Sequence, residues 1–231
     1  MRNYIIIGGS SGIGASLVQL LGNEGANVIA SYNNNVMSDT KNVRYFKFDV
    51  LSDQLNLDDL PEEIHGLAYC PGSINLKPFH RFKEQNFIDD FKLNVIGATN
   101  IIQQLLPKLK ASGEASIVLF STVAVQQGFN FHAQVSISKG AIEGLTRALS
   151  AEFAPSIRVN AIAPSLTDTP LAEGLLNNQG KIEKQSELNP LKRVGKATDI
   201  SEVAKFLLSQ NSSWITGQII HVDGGFSTIK K

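Results

Sequence analysis

Three features of the amino-acid sequence predict one α/β domain, a parallel sheet covered by helices on both faces. Strand-length apolar runs alternate with segments of helical periodicity, and a glycine-rich turn joins the first of each. The third feature is length, since 231 residues suit one large domain with a substantial core and are short for two. No repeat, low-complexity tract or interdomain linker interrupts the pattern.

The first strand is expected at residues 4–7, where Tyr4, Ile5, Ile6 and Ile7 form a short, largely β-branched run ended by Gly8 and Gly9. Gly8, Gly12 and Gly14 permit a tight turn, close approach of backbone to a ligand, and packing of the next helix, residues 15–21, on the strand. The N–H groups at that helix start face outward, and the helix dipole favours an anion there. A dinucleotide pyrophosphate is the expected occupant, with a plain strand-to-helix turn as the alternative. The spacing is G-x-x-x-G-x-G rather than G-x-G-x-x-G, and the Lys-Ser/Thr pair of a nucleoside-triphosphate loop is missing.

A second strand, 26–31, runs into SYNNN. An acid at this strand end would hold a ribose 2′-hydroxyl. Tyr32 and Asn33 supply none, which favours NADP, while the lack of the usual arginine for a 2′-phosphate leaves NAD open. A third strand, 43–48, ends at Asp49, a cleft residue or simply a turn residue, and an acidic solvated helix or loop follows. The fourth strand, 66–70, ends in Pro71 and Gly72; a long helix over 87–106 carries Asn94, and a fifth strand covers 116–121.

Helical periodicity over 136–153 stacks Gly140, Gly144 and Ala148 on one face, which predicts close approach by another element. A sixth strand, 157–163, stops at Pro164, and residues 166–188 read as a long polar insertion of the kind that covers a substrate. Ile200, Val203, Ala204, Leu207 and Leu208 mark a last helix, with Asp199 and Glu202 spaced as a capping box. Residues 219–222 form the seventh strand.

Lysines and arginines number 21 and acids 21, so no basic field points to nucleic acid or an anionic membrane, and a small-molecule ligand is expected. Cys70 is the only cysteine, which excludes an intrachain disulfide and suits a reducing compartment. The N-terminal apolar run is too short for a secretory signal, and no stretch approaches the roughly 18 apolar residues of a membrane span. A cytoplasmic location is expected. The histidines at 65, 80, 132 and 221 lack ligand spacing, so no metal is expected.

Six blocks agree in order and spacing with one family: GGSSGIG at 8–14, FDV at 48–50, Asn94 in LNVIGA, SxSKGA at 136–141, IRVNAIAP at 157–164, and ITGQIIHVDGG at 215–225. From end to end the chain resembles a classical short-chain dehydrogenase/reductase, nearest in pattern to the ketoacyl-carrier-protein reductase-like branch. The resemblance implies a single-domain Rossmann-type doubly wound fold over residues 1–231, with a seven-stranded parallel sheet and an NADP or NAD site at the strand C-termini. It also implies a homodimer or homotetramer through two long helices; the stacked small residues suit that packing, or core packing within one subunit. The cofactor positions it implies are Gly8, Ser10, Ser11, Gly12, Ile13 and Gly14 in the first turn, then Tyr32, Asn33, Asp49, Val50 and Gly72. Lys139, Pro164, Thr167 and Thr169 complete that set.

In this family a tyrosine gives a proton to the carbonyl oxygen that receives negative charge during hydride transfer. A nearby lysine lowers the tyrosine's pKa and holds the nicotinamide ribose, a serine orients the substrate oxygen, and an asparagine steadies a water relay. Lys139 and Asn94 match the lysine and asparagine, and Thr122 stands at the serine position with its hydroxyl retained. The tyrosine position is Val135, whose side chain neither donates nor accepts a proton. The tyrosines are Tyr4, Tyr32, Tyr45 and Tyr69, so no small shift of register supplies a phenol. Other departures are Tyr69-Cys70-Pro71-Gly72 for the family's N-N-A-G, Pro164-Ser165 for its P-G, and Ile7 for a threonine.

His132, with an ordinary pKa of about 6.5, is a candidate replacement donor, or a polar loop residue at the cleft mouth. Tyr69 and Cys70 are weaker candidates. Thr122 and Lys139 could instead stabilise an oxyanion while water delivers the proton. Two functions are therefore expected as alternatives: an oxidoreductase acting on a carbonyl or hydroxyl group with a displaced or weak proton donor, and a dinucleotide-binding pseudoenzyme.

Overall fold

In the computed structural model, which describes residues 1–229, seven strands form one parallel sheet. They are β1 (Asn3–Ile7), β2 (Asn27–Tyr32), β3 (Val43–Lys47), β4 (Gly66–Tyr69), β5 (Ala115–Phe120), β6 (Ile157–Pro164) and, after a small second sheet, β9 (Ile219–Val222). Their order across the sheet is β3-β2-β1-β4-β5-β6-β9. The chain winds one way from β1 to β3 and the other way from β4 onward, so β1 and β4 flank the switch point where such sheets bind ligands. Ile6 pairs with Ala30 on one side, and Ile7 with Tyr69 on the other.

The continuous apolar run of β1 reflects burial on both faces. Ile5 and Ile7 enter one core with Leu67, Ile101, Leu105 and Ile142, whereas Tyr4 and Ile6 enter the other with Leu17, Val28, Ile200 and Leu207. The first core lies under the helices α3 (Gly97–Ala111) and α4 (Ala133–Phe153), with α2 (Glu84–Phe91) packed on α4, and the second under α1 (Gly12–Asn23) and α7 (Ala197–Leu208). No helix among the described residues is long and apolar enough to cross a membrane.

Several elements differ from the sequence expectation for identifiable reasons. The single helix expected over 87–106 is a longer run, in which α2 and α3 are joined by a π-helical turn at Lys92–Ile96 that is closed by Gly97 N donating to Lys92 O. A β-carbon on Gly97 would lie 2.3 Å from the Tyr69 hydroxyl, so glycine lets this turn settle on β4. The 166–188 insertion, to which the sequence assigned no elements, is partly regular. It contains β7 (Thr167–Asp168), α5 (Glu173–Leu176) and α6 (Gln179–Leu188), and β7 pairs with β8 (Gly195–Lys196). Asp199 is not the N-cap of α7 but its third residue, accepting from Lys196 N at 2.7 Å, and Glu202 instead pairs with Lys205. The small face of α4 meets its own subunit at Gly140, where Val125 Cγ1 would lie 3.9 Å from a built β-carbon, but not at Gly144. Nothing among the described residues lies within 4 Å of a β-carbon built on Gly144.

Candidate active site

At the C-terminal ends of β1, β2 and β4 the chain forms an open cleft of about 490 Å³. Its floor is the turn between β1 and α1. Gly8 and Gly12 have φ of +79° and +52°, and a β-carbon on Gly14 would sit 2.1 Å from Gly8 O. Side chains are excluded here by the backbone itself. Gly8 N donates to Ser31 Oγ at 2.9 Å and Gly9 N to Ser31 O at 2.8 Å, which ties the turn to the end of β2.

Of the expected cofactor residues, Gly8, Ser10, Ser11, Gly12, Ile13, Gly14, Asn33, Asp49, Val50, Gly72 and Thr169 line this cleft. Tyr32 stands beside it at the end of β2, in register with Lys47. Pro164 ends β6, and Thr167 opens the small second sheet, its hydroxyl donating to Ser165 O at 2.9 Å. The far wall comes from Thr169, Pro170 and Leu171. Thr169 carbons would lie 3.3 Å from a β-carbon on Gly12, so the start of the insertion covers the turn while its helices lie beyond. Asn34, Asn35 and Leu51 also line the cleft and had no motif to mark them.

The cleft wall contains no lysine or arginine among the described residues. An anion here would be held by the N–H groups at the start of α1, the feature a pyrophosphate requires. Asp49 accepts from Leu51 N at 2.9 Å, so it is a turn residue and a cleft residue together.

Two of the expected catalytic residues, Asn94 and Lys139, adjoin the cleft through Gly72. A β-carbon on Gly72 would lie 3.4 Å from Asn94 Oδ1 and 3.6 Å from Lys139 Nζ, so glycine leaves open a small space that both atoms face. Burial lowers the Lys139 pKa to about 8, against the opposing influence of Asp90 and then Cys70. Asn94 is 1% exposed and sits in the π-helical turn. Thr122 is drawn into the cap of the short 3₁₀ turn Val123–Val125, its Oγ1 accepting from Ala124 N at 3.3 Å, which leaves its O–H free to donate. Val135 is half-buried in the first turns of α4.

His132 is held elsewhere. Its Nδ1 lies 2.8 Å from Asn130 O, and its ring lies 5.2 Å from that of Phe129, which in turn stacks on Phe226 at 5.9 Å. Tyr69 is 3% exposed and donates its hydroxyl proton to Leu93 O at 2.6 Å, and burial pushes its pKa up. Burial likewise pushes the Cys70 thiol up to about 12, which leaves it a poor nucleophile. Ser73, Asn94 and Ser138 all donate to the Asp90 carboxylate, and no motif had marked Asp90, Ser73 or Ser138.

Comparison with known proteins agrees with this fold. The family model described as enoyl-(acyl carrier protein) reductase matches residues 8–227. The chain is 32% identical over 243 residues to a tropinone reductase homolog of Arabidopsis thaliana, covering 98% of this chain and 92% of that protein. A second Arabidopsis homolog is 38% identical over 157 residues, a match that takes in 68% of this chain and 60% of the relative. The 3-oxoacyl-(acyl-carrier-protein) reductase FabG of Staphylococcus epidermidis is 28% identical over 241 residues, covering 97% of this chain and 98% of that protein. Among solved structures, the ligand-free aldohexose dehydrogenase of Thermoplasma acidophilum superposes with a TM-score of 0.90 at 26% identity, over 100% of this chain and 96% of that one. ElxO, solved with NADP bound, shares the fold at a TM-score of 0.88 and 20% identity, over 99% of each chain.

Proposed function

Because the chain belongs to the short-chain dehydrogenase/reductase family, we propose that it is an NAD(P)(H)-dependent oxidoreductase of a carbonyl or hydroxyl group, with NADP favoured, in which Lys139 takes over proton donation. The observation that carries this reading is the position of Gly72, which lines the dinucleotide-shaped cleft and also faces Asn94 Oδ1 and Lys139 Nζ. Binding and chemistry thus share one wall.

The glycine turn fits a dinucleotide, since its backbone is bare where a pyrophosphate must approach and its helix N–H groups are free to donate. Asn33, Asn34 and Asn35 offer uncharged donors after β2, where no acid stands to hold a ribose 2′-hydroxyl or repel a 2′-phosphate. A bound reduced nicotinamide supplies the hydride for a substrate carbonyl carbon. Thr122 donates its O–H to the substrate oxygen, and the Lys139 ammonium gives that oxygen a proton and regains one from water. A lysine whose pKa is about 8 stands close enough to neutrality for the exchange. His132, tied to Asn130 and Phe129, is the second candidate donor.

Val135 favours a second reading, a dinucleotide-binding pseudoenzyme. Fluorescence titration with NADPH and NADH, then a carbonyl panel with wild type, Val135→Tyr, His132→Ala and Lys139→Met, separates the two. The expected outcome is tight NADPH binding, slow wild-type turnover that survives His132→Ala and is lost in Lys139→Met, and a gain of up to ~10²–10⁴-fold in Val135→Tyr. Binding without wild-type turnover would establish the pseudoenzyme, and failure to bind either cofactor would sink both readings.

The exposed face of α4 and of the adjoining π-helical turn supports a homodimer or homotetramer. Gly144 and Ala148 are exposed, and Ile137 and Ile96 present 54% and 43% of their surface. An apolar face of this kind is suited to a second copy.

A further inference from the structure

The geometry points to Asp90 as a positioning residue of this site: it fixes the Asn94 amide with its oxygen turned toward Lys139, and it supplies the counter-charge for the Lys139 ammonium. Asp90 is 5% exposed at the end of α2, immediately before the π-helical turn. Two of its oxygens meet one nitrogen. Asn94 Nδ2 donates to Asp90 O at 2.9 Å and to Asp90 Oδ1 at 3.1 Å. Two acceptors can face the amide nitrogen but would repel the amide oxygen, so chemistry fixes which way Asn94 points.

That orientation leaves Asn94 Oδ1 buried without a hydrogen-bond partner among the described residues. An unmet buried acceptor costs about 1–3 kcal/mol, so a donor is called for. The space before Gly72 is faced by this oxygen and by Lys139 Nζ, which makes the ammonium, directly or through one water, the donor at hand. Asp90 also grips the lysine's own helix, since Ser138 Oγ donates to its Oδ2 at 2.5 Å, and Ser73 Oγ donates to its Oδ1. One carboxyl group therefore joins α2, the segment after β4, and α4. For packing alone an apolar side chain would serve with no charge to desolvate.

The inference rests on reading this cleft as an oxidoreductase site. Its test therefore includes the cofactor-free protein. Asp90→Asn keeps the shape and removes the charge. Lys139 is followed by NMR of isotopically labelled lysine amines in the cofactor-free wild type and variant, with Lys139→Met assigning the signal. The charged or titratable groups acting on that amine are Asp90 from α2 and Cys70 from the end of β4. The Lys139 titration midpoint is expected to fall by at least about one pH unit in Asp90→Asn. NADPH affinity should change less than about threefold, while kcat at pH 8 falls by about tenfold or more with KM nearly constant. Asp90→Glu should restore part of both effects. If Asp90→Asn does not fold, Asp90→Ser, whose hydroxyl can still meet the Asn94 amide, is read by the same signal: a Lys139 midpoint below that of wild type supports the counter-charge, and an unmoved one overturns it. A folded Asp90→Asn with an unmoved Lys139 midpoint and unchanged kcat overturns the inference while leaving the oxidoreductase reading intact. Failure of wild type to bind NADPH overturns that reading instead, with the titration still deciding this one.

Discussion

Lys139 separates what one side chain can do from what its neighbours make it do. A solvated lysine stays charged through the physiological range, whereas burial beside Gly72 lowers this one from 10.5 to about 8. The effect on stability has a definite sign. Below about pH 8 the folded state carries a buried charge and bears its full desolvation penalty. Between about 8 and 10.5 the folded protein releases the proton before the unfolded chain does, so stability from this group rises with pH and levels off above that window. Thermal melts from about pH 7 to about pH 10 should show wild type gaining on Lys139→Met as pH rises. Parallel curves would mean that the amine is solvated in the folded state. Val135 presents the opposite case, since an isopropyl side chain can carry no proton whatever surrounds it.

Two helix starts show how an element is set by its closest contacts. The α1 start is built on bare backbone, with the missing β-carbon of Gly14 facing Gly8 O. Gly14→Ala must push that turn apart, at a cost of about 1–3 kcal/mol in stability. NADPH affinity in a fluorescence titration should drop by at least tenfold, and unchanged affinity would show that the anion sits elsewhere. In the α2 to α3 run, the π-helical turn places Asn94 inward and lets Gly97 clear the Tyr69 hydroxyl, which is itself bonded to Leu93 O. π-Helical turns often accompany functional positions, and this one carries the amide that faces Lys139.

For the molecule as a whole, the open question is how many copies make the working unit. The small-residue face of α4 meets nothing within its own subunit at Gly144, although its spacing predicts a close neighbour. A large charged residue there, Gly144→Arg, should leave the monomer folded and lower the mass seen by light scattering to that of one chain, 25.0 kDa. An oligomeric wild type whose mass the variant kept would have its interface on another face, and a wild type already at the mass of one chain would overturn the proposed oligomer.

Alternating apolar runs and helical periods were enough to specify the parallel sheet, its seven strands and the glycine turn, because burial on both faces and a bare-backbone turn leave few choices of residue. The motif blocks likewise carried most of the cleft lining. The capping of α7, the helices within 166–188 and the π-helical turn were not legible, since each depends on a partner distant in sequence or on a shift of one residue in hydrogen bonding. Asp90 is the clearest case. In the chain it is one of two adjacent acids, and only folding brings Ser73, Asn94 and Ser138 around it from three separate elements. Local preference and burial pattern are written along the chain, whereas the charge state and orientation of a buried group depend on which distant neighbours share its space.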